Sequence, residues 1–235
     1  MKSFICLISS LVFAALPASA LGFSNFNNYQ SARVLDKGQV SIGFGTGILH
    51  SEGEGGYSNV YFVPDVWAHF GVRDGLQIGV RAAPIAAGID IKTRIFSNEK
   101  TSLSLAPYVG ISYGSYDVNG FLSMNMFGIT TALSLILGTK VGERSEFVMS
   151  AKLLYDIYFT HEKMSLSEFG SESFNGQEEI VTIGGSFGFI VGSGDLSVIP
   201  EIGVYNAVNH SKFDGESSQY KQTMIFPGFG ISIIL

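Results

Sequence analysis

The sequence is poor in cysteine, tryptophan, proline and charge. Charged residues fill 14% of its 235 positions, whereas a soluble domain carries roughly 25%. Its one cysteine, Cys6, lies within the first twenty residues, so the rest of the chain can form no disulfide framework. Beyond those twenty residues no apolar run approaches the ~20 residues that a spanning helix needs, which excludes a helical membrane protein. Basic residues number 14 against 20 acidic ones, and the net charge of −6 argues against nucleic acid as a partner. Neither the Cys/His spacing of a zinc site nor the acidic pattern of a calcium loop occurs. Gly43-Phe44-Gly45-Thr46-Gly47 lies within a strand pattern with no helix after it, which excludes a phosphate loop. No metal and no cofactor is expected.

What is present is apolar and glycine-rich. Hydrophobic residues make up 46%, with 29 glycines, 19 phenylalanines and 10 tyrosines, and the mean hydropathy is +0.30. Met1 and Lys2 precede an apolar run from Phe4 to Leu16, followed by Pro17-Ala18-Ser19-Ala20. A charged start, an apolar stretch of this length and small residues in A-x-A register are the parts of a cleaved signal peptide. The expected division is a signal peptide over 1–20, a periplasmic lead-in over 21–38 and one domain over 39–235.

That domain reads as strands. In Val66-Trp67-Ala68-His69-Phe70-Gly71-Val72 the even positions are apolar, and so they are in Leu76-Gln77-Ile78-Gly79-Val80-Arg81-Ala82. Period-two alternation on both sides of Asp74-Gly75 predicts a hairpin. The same test predicts ten strands, near 39–49, 58–72, 75–84, 88–96, 101–114, 122–141, 144–160, 179–192, 195–206 and 222–235, with eight or twelve possible if 122–141 is read differently. Several match the ~9–11 residues of a tilted membrane strand. Short turns at 73–75, 97–100, 142–144 and 192–195 alternate with mostly longer connections at 51–57, 115–120, 160–178 and 206–221. Tight turns at one end and longer loops at the other belong to a closed, antiparallel, up-and-down transmembrane β-barrel. An even strand number would put both termini on the periplasmic side.

The faces agree with that fold. Phe147, Met149, Ala151, Leu153, Tyr155, Ile157 and Phe159 form one face of their strand, and Glu146, Ser150, Lys152 and Asp156 the other. Apolar-out and polar-in is the barrel pattern, and aromatics near the strand ends (Phe62, Tyr113, Tyr155 and Phe159; Phe70 and Phe147) suit two interfacial girdles. The inward set is expected to comprise His69, Arg81, Asp90, Lys92, Arg94, Lys152, Asp156 and Glu201, a lumen polar network in which Arg81 lies near Asp90 or Lys92. Inward glycines such as Gly43, Gly79 and Gly188 would make room for it.

The hairpin from Pro64 to Arg81 and the stretch Ser31-Ala32-Arg33-Val34-Leu35-Asp36-Lys37-Gly38 resemble segments of small Gram-negative outer-membrane β-barrel proteins. The resemblance implies residence in the bacterial outer membrane, contact with its lipid and lipopolysaccharide, and insertion by the outer-membrane assembly machinery. The chain departs from that family at its end, Ile231-Ser232-Ile233-Ile234-Leu235, where the usual terminal aromatic is missing.

A catalytic set is hard to assemble. His50, His161 and His210 fall at loop-side positions where Glu52, Glu162 or Asp214 could serve as acid–base partners, but none has motif spacing. The expected role is therefore non-catalytic: structural or interactive at the cell surface, or limited transport of a small solute. The rival expectation is a barrel enzyme with a site at the extracellular rim.

Overall fold

The computed structural model describes residues 29–53, 58–118, 122–143, 145–166, 170–193, 195–213 and 216–235. The expected signal peptide lies outside them. Ten strands run β1 (Val40–Gly53), β2 (Ser58–Arg73), β3 (Leu76–Ala83), β4 (Ala86–Ser97), β5 (Thr101–Val118), β6 (Leu122–Lys140), β7 (Ser145–Leu166), β8 (Gly170–Ser193), β9 (Leu196–Phe213) and β10 (Glu216–Ile234). Each pairs antiparallel with its sequence neighbour, and β1 pairs with β10 from Ser41↔Ile234 to Gly53↔Gln222, closing the ring. The chain end joins this seam despite lacking an aromatic: Leu235 N–H donates to the Val40 carbonyl at 2.7 Å.

Alternation decides which side chains go where. On β7, Lys152, Leu154, Asp156 and Tyr158 are buried, whereas Ala151, Leu153, Tyr155 and Phe159 are exposed. Large apolar side chains are exposed on every strand, among them Phe44, Val80, Ile111, Leu133, Phe187 and Ile231. In water such a continuous belt would drive aggregation; around a closed barrel it is the surface that lipid covers. Phe62 and Tyr113 are the most exposed aromatics of the belt, at 68% and 60%.

The wall has uneven height. β3 has 8 residues and β4 has 12, but β7 has 22 and β8 has 24. β2 pairs with β3 only from Val66 to Arg73, and β4 with β5 only from Ala86 to Ser97. Above the β3–β4 hairpin the flank of β2 therefore faces no strand. Unpaired backbone is not tolerated in hydrocarbon, so the loop-side interface lies at the level of the hairpin tip. Tyr113, whose N–H donates to the Ile85 carbonyl at 2.9 Å, sits there.

One expectation is corrected. The connections read at 160–178 and 206–221 are mostly strand: β7 and β8 pair out to Leu166↔Gly170, and β9 and β10 out to Phe213↔Glu216. Hydrophobic alternation stops there because the outer face meets water, carrying His161, Lys163, His210 and Lys212, while the ladder continues. Within the expected lead-in, Tyr29, Gln30 and Ala32 are buried inside the barrel. The Asp74-Gly75 turn forms as expected, with Gly75 at φ +76°, a left-handed conformation that a side chain would disfavour.

Leu153 lies midway between Phe147 and Phe159 on the lipid face of β7. Leu153→Arg is expected to lower folding stability in lipid bilayers by about 2–4 kcal/mol, and His161→Arg, beyond the girdle, by about 0–1 kcal/mol. Urea titrations of folding into vesicles measure both; equal losses would contradict the lipid belt.

Candidate functional site

The lumen is filled at three levels. At the turn-side mouth the filling is the chain's own N-terminal segment. Tyr29 stacks on Trp67 of β2, with centroids 5.5 Å apart and planes 12° off parallel. Its hydroxyl donates to the Thr46 carbonyl and its N–H to Glu201 Oε2, both at 2.8 Å. Tyr29 has a φ of +44°, which is unfavourable for a residue with a Cβ, and these contacts hold it there. Ser31 Oγ donates to Glu146 Oε2 at 2.5 Å and Ala32 N–H to Glu146 Oε1 at 3.3 Å. Lys92 Nζ donates to the Ser31 carbonyl at 3.0 Å, and Leu35 N–H to Gln77 Oε1 at 3.3 Å. Ala32 packs, fully buried, with Ala106, Ile136 and Val148.

Glycine spacing makes this possible. A Cβ at Gly43 would collide with the Trp67 ring, and one at Gly138 would collide with Glu146 Oε1. The inward glycines are thus the sockets of the residues that grip the segment.

The middle level is charged. Arg81 on β3 forms a buried ion pair with Asp65 on β2. His69 Nε2 lies 3.2 Å from Asp90 Oδ2. Lys152 is buried beside Arg81, Asp90 and Gln30, around a small cavity also lined by Tyr108 and Ser134. Together with Lys92, three cations and His69 meet four carboxylates (Asp65, Asp90, Glu146 and Glu201), so charge over the turn-side and middle levels is nearly balanced.

The loop-side level is apolar, then acidic. Leu49, Val63, Met126, Tyr158, Tyr205 and Phe226 pack across the bore, and Ile85 at the β3–β4 hairpin packs against them. Asp156 accepts from Thr130 Oγ1 at 2.5 Å. Above, Glu178 accepts from Tyr220 Oη at 3.0 Å and from Asn209 Nδ2. Glu162 is buried on the same inner face.

Of the eight expected lumen residues, His69, Arg81, Asp90, Lys92, Lys152 and Asp156 are buried, and Glu201 faces inward. Two details differ, those of Arg94 and Asp156. Arg94 is exposed: it sits beside the β2–β3 turn, its N–H donating to the Gly75 carbonyl, where the ladder is broken by a bulge between Arg94 and Phe96. Arg81 lies near Asp90, as expected, both lining the same small cavity, and it ion-pairs with Asp65; the register sets Arg81 opposite Gly88 and Trp67 and Asp90 opposite Gly79, near His69. Asp156 belongs to the loop-side level rather than to the charged middle. Sequence reasoning missed Asp65, which shares the inward parity of Trp67 and His69, and it missed the role of Glu146 and Gln77 as grips on the segment.

His161 and His210 are exposed on the outer wall, on β7 and β9 with β8 between them. His161 Nδ1 contacts Asn175 Oδ1 at 2.8 Å. Asp214 lies outside the described residues. No group of three His, Cys, Asp or Glu residues that could hold a metal ion occurs among the described residues.

No family model and no curated protein sequence matches the chain. Solved structures do. The outer membrane protease OmpT from Escherichia coli superposes at a TM-score of 0.56 with 9% identity, over 87% of this chain and all of that one. A major outer membrane protein from Thermus thermophilus gives 0.41 at 10% identity, over 83% and 99%. Neisserial surface protein A gives 0.37 at 10% identity, over 84% and 99%. At such identities the likeness is one of fold. The chain is a closed, ten-stranded barrel of the outer-membrane type, as alternation and resemblance led one to expect.

Arg81→Leu strands a buried Asp65 carboxylate, and removing one partner of a buried pair costs about 3–5 kcal/mol. The double change Arg81→Leu/Asp65→Leu is expected to recover most of that loss. Denaturant titration of the three variants measures it; a double variant less stable than the single would contradict the pairing.

Proposed function

We propose that this chain is a non-catalytic outer-membrane barrel whose lumen is closed at rest by its own residues 29–36, and which acts through its loop-side end. The observation that carries this reading is the double use of the inward polar residues. Glu146, Glu201, Lys92 and Gln77 do not line a water path; they bond the backbone of the N-terminal segment. A barrel of eight strands is just filled by its own side chains. Ten strands enclose more, and the segment occupies the difference. An apolar layer behind it, from Leu49 to Phe226 around the bore, adds a second barrier to ions.

The start of β1 and the last residue of the chain meet at the turn-side mouth, where Val40 and Leu235 bond each other. In the outer-membrane topology that mouth is periplasmic, and the tall wall of β5–β10 with its polar outer face stands at the cell surface. Solute transport would require the segment to leave. Catalysis at the rim finds no support in the histidines, since His161 and His210 point away from the lumen on non-adjacent strands.

Planar-bilayer recording of the purified full chain tests the proposal. No single-channel steps are expected from the wild type. Regular steps in the wild type would overturn the closed-lumen reading.

A further inference from the structure

We propose that the loop-side mouth is a binding site for a linear aliphatic polyamine. The site lies in the same barrel but does not depend on the turn-side seal. It is built on the inner faces of β7, β8 and β9. Glu162 opposes Phe174, Thr160 opposes Gly176, and Tyr158 opposes Glu178, so the two carboxylates are four residues apart along one ladder. At ~3.3 Å per residue that is roughly 13 Å.

Between and beside them stand acceptors without donors. Glu162 Oε1, Glu178 Oε2, Thr160 Oγ1 and Asn209 Oδ1 are all buried and make no hydrogen bond. Thr160 and Asn209 are 4% and 2% exposed, and they are not part of the acidic pair. Leaving such groups unsatisfied costs free energy, which a ligand supplying only N–H donors would recover. The neighbouring lysines give no compensation, because Lys163, Lys212 and Lys221 are exposed on the outer wall.

Shape agrees with charge. Gly176 opens the row between the carboxylates: a Cβ there would lie 2.5 Å from Thr160 Oγ1 and 2.9 Å from the Phe213 ring. Phe174 and Phe213 stack across this opening, with centroids 5.8 Å apart, and aromatic faces attract a cation. The apolar layer of Met126, Tyr158 and Ile180 floors the site and suits methylenes. A polyamine carries donors at intervals along an aliphatic chain. A peptide would bring carbonyls, which the two carboxylates and Asn209 Oδ1 cannot bond, whereas the Thr160 hydroxyl accepts from an N–H as readily as it donates.

Calorimetric titration of the folded full chain in detergent with spermidine tests the site. Saturable binding is expected, at least tenfold tighter than n-butylamine. Glu162→Gln and Glu178→Gln are each expected to weaken it about tenfold. Gly176→Ala, which touches neither carboxylate, should also weaken it and decides the matter if a glutamine variant does not fold. The absence of saturable spermidine binding, or unchanged affinity in the folded variants, would overturn the proposal. So would tighter binding of trilysine, which would make the ligand a basic peptide, or displacement of spermidine by equimolar magnesium.

Discussion

Every backbone N–H and C=O that enters hydrocarbon must find a partner within the protein, and the rest of this structure depends on that constraint. The chain meets it by closing β1 on β10, so that no strand edge is left along the membrane-spanning wall. Closure makes the ring two-sided. One face of each strand meets lipid and must be apolar, which accounts for the high hydropathy without any long apolar run. The other face is the only place in the membrane where polar side chains can be satisfied. Where the wall is low, at β3 and β4, the same constraint fixes the loop-side interface at Ile85 and Tyr113.

The lumen is therefore a polar core in an apolar surround, and its chemistry follows from mutual satisfaction. Polar groups are drawn together there, Arg81 in an ion pair with Asp65 and His69 in hydrogen-bond contact with Asp90. A ring of ten strands encloses more than these side chains fill. Residues 29–36 fill the remainder at one end, and their backbone groups are bonded by the side chains that line the bore. Ala32 illustrates the fit: it is packed against Ala106, Ile136 and Val148, and its N–H meets Glu146. At the other end no segment of the described chain does the same for Glu162 and Glu178. The two ends of one bore thus differ in kind.

Much of this was legible from residue order. Period-two alternation located ten strands, and parity placed Trp67, His69 and Lys152 inside and Leu153 outside. Legibility failed where the signal depends on solvent or register. From Thr160 to Lys163 both faces of β7 are polar, so the pattern vanished though pairing continued to Leu166. Arg81 could not be assigned to Asp65 without knowing that β3 opposes β4 at Arg81↔Gly88. The parity of Arg94 is inward, but a bulge and a place at the rim leave it exposed. Residues 29–36 carry no alternation at all; what holds them in place is written in Glu146, Glu201 and Lys92, far away in sequence.

Thiol accessibility tests the central claim, that the N-terminal segment is part of the barrel's interior. With Cys6→Ser in place, single substitutions Ala32→Cys and Lys37→Cys put one thiol at a fully buried position and one at an exposed position of the same segment. The account predicts that a water-soluble maleimide labels Lys37→Cys in the folded protein at once and labels Ala32→Cys only after denaturation. Labelling of both at the same rate in the folded barrel would contradict it.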